Sequence, residues 1–74
     1  MTDGVTFRLL RVEGNRAEAR AVPVGAHATF DDAVDAASRQ PRPPVVRWRP
    51  DEVDGVWSAL DSGGQGFVVH RIDG

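Results

Sequence analysis

The sequence predicts a small α+β fold, on three observations. Strand-forming runs stand at both ends, one capped amphipathic segment lies in the middle, and a proline-rich break divides the chain after it. At 74 residues the chain falls in the range of a single domain, read as 1–74 with short flexible ends at about 1–4 and 73–74.

Val5 to Val12 (VTFRLLRV) is rich in strand formers, with Val5, Phe7 and Leu9 on one face and Thr6, Arg8 and Leu10 on the other. Glu13-Gly14-Asn15 reads as a turn. Arg16 to Val22 (RAEARAV) is bounded by that turn and by Pro23, which leaves a length normal for a strand and short for a helix. Thr29 then stands as an N-cap before Phe30, Ala33, Val34 and Ala37 at helical spacing, with Asp32 in the capping-box position. Asp31 and Asp32 complement the positive end of this helix, Asp35 and Arg39 are one turn apart, and Pro41 stops it. Pro41-Arg42-Pro43-Pro44 is an extended connector leading to a short strand, Val45 to Arg49.

Pro50 to Gly64 (PDEVDGVWSALDSGG) admits two readings. As a helix it has proline and acids in its first turn, a stripe of Val53, Val56, Trp57 and Leu60, and Gly63 as a stop. As a hairpin it turns at Asp54-Gly55. The helical periodicity favours ββαβαβ, a single sheet with two helices packed on one face and parallel crossovers; the alternative is ββαβββ with one helix. Phe67 to Ile72 (FVVHRI) closes the chain as a strand whose apolar run suits an interior position.

Composition narrows function mainly by exclusion. No cysteine offers a nucleophile, disulfide or thiolate ligand, and no lysine offers a phosphate-loop cation. There is no Gly-x-Ser-x-Gly elbow and no His-Glu-x-x-His. His27 and His70, joined by Asp31, lack the fixed short spacing of a metal site and read as ordinary surface or half-buried residues. Ser62-Gly63-Gly64-Gln65-Gly66 leads into a strand rather than into a helix N-terminus, the reverse of a phosphate cradle. Asp31-Asp32 and Asp51-Glu52 are accounted for by first helical turns. Neither a cofactor nor a membrane partner is expected. With no signal-like start or long apolar run, the chain reads as cytoplasmic.

All nine cationic side chains are arginine, which reads first as codon bias in a GC-rich, bacterial-type genome. Net charge is −2, with no global attraction to polyanions. Seven arginines (Arg8, Arg11, Arg16, Arg20, Arg47, Arg49 and Arg71) nevertheless fall in predicted strands, whereas the acids gather in or beside predicted helices. Arg8, Arg20, Arg47 and Arg49 are therefore the candidate partner-binding residues, sharing the sheet face that helices leave open. Trp48 and Trp57, each among aliphatic residues at the matching period, read as core.

The expected function is that of a small non-catalytic protein-binding module, accessory or regulatory, whose partner is another protein or a second copy of itself. The alternative is a nucleic-acid-binding module using the arginine-bearing face; a small enzyme or metal protein is the third reading.

Overall fold

A computed structural model of the chain describes residues 4–14, 18–44 and 46–73. Its elements run β1 (Val5–Glu13), β2 (Arg20–His27), α1 (Phe30–Ser38), β3 (Arg49–Pro50), β4 (Val56–Leu60) and β5 (Gly66–Asp73). The order is ββαβββ, with one helix among the described residues. The five strands form one antiparallel sheet in the order β2-β1-β5-β4-β3. No described helix is long and apolar enough to cross a membrane.

The predicted second helix over Pro50 to Gly64 is absent: its place is taken by a tight β3–β4 turn and by β4. Backbone geometry explains the outcome. Gly55 has φ of 81°, a left-handed conformation that no residue of a right-handed helix adopts. The Asp51 N–H donates to the Val56 carbonyl at 2.8 Å, and the Val56 N–H to the Val53 carbonyl at 3.2 Å, so the chain reverses. Trp57 and Ala59 then project to one face, with Val56, Ser58 and Leu60 on the other. The stripe at helical spacing is equally a strand whose two faces are both largely apolar. With the helix go the expected parallel crossovers.

Gly55→Ala separates the two conformations in solution. A Cβ there would meet the Arg71 Cβ at 3.7 Å, an ordinary contact, so the cost is the positive φ alone. The variant is expected to lose about 1–2 kcal/mol in a denaturant melt. A helical segment would instead gain up to about 1 kcal/mol, so a stabilised variant refutes the turn.

Other strand boundaries moved as well. The second strand begins at Arg20 rather than Arg16 and runs on through Pro23 to His27. Proline is tolerated because β2 is an edge strand. Asn15 and Arg16, named in the predicted turn and strand, lie outside the described residues, as do residues 1–3, Val45 and Gly74. The strand expected over Val45 to Arg49 is reduced to Arg49–Pro50, paired with Ser58 and Trp57. At the other end β5 continues to Asp73, opposite Val5.

The helix follows its predicted chemistry. Thr29 is extended at φ −134°, and its Oγ1 accepts the Asp32 N–H at 3.0 Å. Asp31 and Asp32 occupy the first turn, and Arg39 pairs with Asp35 at 2.9 Å. Ala33 and Ala37 are fully buried against the sheet, packing with Leu9, Phe67 and Val69. Small residues on the helix allow this close approach, while bulk is supplied around them by Phe7, Val24, Phe30, Trp48 and Trp57. Phe30 is the hub of the aromatic group, with ring centroids 4.9 Å from Trp57, 6.0 Å from Trp48 and 6.4 Å from Phe7.

Candidate functional site: the open face of the sheet

Antiparallel partners project to the same side of a sheet, so the pairing register assigns each side chain to a face. Phe7, Leu9, Phe67, Val69, Trp57 and Ala59 lie on the helix side. The opposite face is built from successive cross-strand rows. One contains Ala26, Arg8, His70 and Val56; the next contains Pro23, Leu10, Val68, Ser58 and Arg49; the third contains Ala21, Val12, Gly66 and Leu60. Thr6 and Ile72 begin a fourth. No described element crosses this face, since α1 packs on the other one.

An uncovered antiparallel face is ordinarily polar. This one holds Leu10, Val12, Val56, Val68 and Ile72, all half-buried, together with Leu60 at 38% exposure. The two edges are unsuited to pairing with another strand: β2 carries Pro23 and a bulge, and β3 is two residues long and ends in Pro50.

The structure brings some of the four candidate arginines together and separates one. Arg8 and Arg49 stand on the open face, Arg8 beside His70 and Arg49 beside Ser58, and both are exposed. Arg47 is exposed two residues before Arg49, with Trp48 between them turned to the helix side against Phe30. Arg20 does not join them. The β1–β2 register slips between Leu9 and Leu10, leaving Val24 as an extra residue between Pro23 and Gly25. From there back to the start of β2 every side chain changes face, so Val24 packs on the core and Arg20 comes opposite Glu13 on the helix side. Arg11 and Arg71 are on that side as well, paired with Glu13 and Asp73. Arg16 lies outside the described residues.

The residues that simple polar patterning overlooked are the apolar ones, Leu10, Val68 and Leu60. Their signal was present in the doubled apolar pairs Leu9-Leu10, Val68-Val69 and Ala59-Leu60, which place one apolar side chain on each face of three adjacent strands.

Other chemistry is dispersed. His27 pairs with Phe7 on the helix side and His70 pairs with Arg8 on the open side, so one metal ion cannot reach both. No group of three metal-ligating side chains occurs among the described residues. Asp51-Glu52 belongs to the β3–β4 turn rather than to a helix, and Asp51 Oδ1 accepts the Glu52 N–H at 2.6 Å. Ser62 to Gly66 connects two strands. Asp61 Oδ1 organises that loop by accepting the N–H groups of Gly63 and Gln65, and the Gln65 side chain donates to the Gly14 carbonyl at 2.8 Å.

A cleft of about 700 Å³ opens between the connector after α1 and the adjoining end of the sheet, above Ala59 and Phe67. Much of its polar lining is already engaged within the fold. Arg11 binds Glu13, Asp61 and Gln65 hold turns, and Gln40 donates to the Ala36 carbonyl at 3.4 Å. Comparison with known proteins returned no matching family model, curated protein or solved structure.

Proposed function

We propose that this chain is a small protein-binding module that works through its open sheet face. The observation that carries the reading is the contiguous apolar centre of that face, rimmed by Arg8 and Arg49. By strand spacing, the five strands and their rows span about 24 by 20 Å, or about 500 Å². A patch of that size, apolar inside and polar at its rim, is characteristic of an interaction surface. Nucleic acid is the weaker partner class. Single strands are gripped by stacking on aromatic rings, and the described aromatic residues all belong to the helix side.

The test is capture of partners from the native host by tagged protein, comparing wild type with Leu60→Ser and with Arg49→Glu. Both positions are exposed, so each variant is expected to keep its melt within about 1 kcal/mol of wild type while losing the captured partners. Arg42→Ala, at the cleft, is expected to retain them. Partners that survive both face variants and disappear with Arg42→Ala would move the function to the cleft.

A further inference from the structure

We infer that the occupant of the open face is an amphipathic helix of a partner protein, with one apolar stripe flanked by carboxylates; this rests on the protein-binding reading above. Charge is the first ground. Although the chain is net negative, the strand positions of this face carry Arg8, His70 and Arg49 and no carboxylate. Asp51 is the one described carboxylate that borders the face: its N–H donates to the carbonyl of Val56 opposite, and its Oδ1 is turned onto its own neighbour, accepting the Glu52 N–H at 2.6 Å. Among the described residues the other acids stand elsewhere: Asp31, Asp32 and Asp35 on α1, Glu13 and Asp73 on the helix side of β1 and β5, Glu18 and Asp61 in loops, and Glu52 and Asp54 in the β3–β4 turn. A ligand that buries the apolar centre therefore meets, at its margins, arginines that form no ion pair among the described residues, and carboxylates are what would satisfy them.

Geometry is the second ground. Arg8 lies on β1 and Arg49 on β3, three strand spacings apart and displaced by one row, with Leu10 and Val68 between them. Their backbone positions are about 16 Å apart at standard strand and row spacings. Three turns of helix span that distance, and residues about eleven apart fall on the same helical side. An apolar stripe over the Leu10–Val68 centre would thus bring acids at its two ends to the two cationic poles. The blunt edges, with Pro23 and its bulge on one side and Pro50 on the other, disfavour an added strand as the binding mode.

A second copy of the chain fits less well. Face-to-face pairing would bring the arginines of two copies onto one interface with no carboxylate at the strand positions of either face. Nor does α1 of another copy serve as the ligand, because Ala33 and Ala37 of its apolar stripe are already buried on its own sheet.

The experiment titrates three synthetic 18-residue peptides into the full chain, reading anisotropy of the labelled peptide and amide shifts of the protein. One carries a leucine stripe flanked by glutamates, one replaces glutamate with lysine, and one scrambles the acidic sequence to destroy the stripe. The acidic striped peptide is expected to bind, to shift amides around Leu10, Val68 and Leu60 rather than those of α1, and to weaken with salt. Arg8→Ala with Arg49→Ala should weaken it at least about fivefold, the effect of losing two half-exposed ion pairs. The lysine and scrambled peptides should not bind.

No binding of the acidic peptide at about millimolar concentration overturns the inference, as does equal binding of the lysine peptide. So does a wild-type dimer that Leu60→Asp disperses, which would give the face to a second copy, or tighter binding of a single-stranded oligonucleotide. Should host partners depend on Leu60 and Arg49 while the acidic peptide fails, the protein-binding reading stands and only this inference falls. Partners that survive both face variants remove the two together.

Discussion

Gly66→Ala is expected to be the most damaging single-methyl substitution in the chain, lowering stability by about 3 kcal/mol or more. Gly66 opens β5 at φ of 152°, beyond what a residue with a Cβ adopts readily. A Cβ built there would overlap the carbonyl oxygen of Ala59 and crowd the Leu60 Cα, both backbone atoms of the neighbouring strand. No rotamer change relieves that overlap. The β4–β5 pairing at Leu60 and Gly66 has to open, and Phe67 of the core is the next residue along. Domains of this size commonly retain only about 3–5 kcal/mol, so the variant should be largely unfolded near room temperature. Gly4→Ala, where a Cβ meets nothing within 4 Å, is the control in the same urea melt. Equal midpoints for the two would show that β4 and β5 are not paired in this register.

Trp57→Ala is expected to cost about 3 kcal/mol, and Trp48→Ala about 2. Full truncation of a buried aromatic generally costs about 3–5 kcal/mol, and both tryptophans are only partly buried, which lowers the figure. Trp57 loses more because its ring meets two others, Phe30 at 4.9 Å and Phe7 at 6.2 Å, and because β4 anchors it next to Val69. Trp48 meets Phe30 edge-on at 6.0 Å from the end of the connector. An unchanged melt for Trp57→Ala would detach it from the core.

The legible parts of the fold were those whose signal is local. A threonine followed by an apolar stripe and closed by proline makes a helix wherever it lies, because the cap hydrogen bond and the missing proline N–H act within a few residues. Val5 to Val12 and Phe67 to Ile72 were legible for a similar reason, since β-branched and aromatic side chains favour extended backbone. The segment around Gly55 was not. Its residues at i, i+3, i+4 and i+7 satisfy a helix, and also a strand that is apolar on both sides. Only the pairing of β4 between β5 and β3 decided in favour of the strand.

The candidate site divides in the same way. That arginines concentrate on strands while acids gather elsewhere is a property of the sequence, and so is the doubling of apolar residues at Leu9-Leu10 and Val68-Val69. Which of those side chains share a face is decided by the tertiary structure. Parity along an isolated strand would place Arg20 with Arg8, but the bulge at Val24 shifts the count by one and turns Arg20 toward Glu13. A bulge is a property of two strands in register rather than of one, and its cost and benefit arise from what the neighbour and the core accept. The sequence by itself determined the helix, the outer strands and the supply of arginine. The sheet order, the conformation at Gly55 and the membership of the open face were decided by contacts between residues far apart in the chain, which no local periodicity encodes.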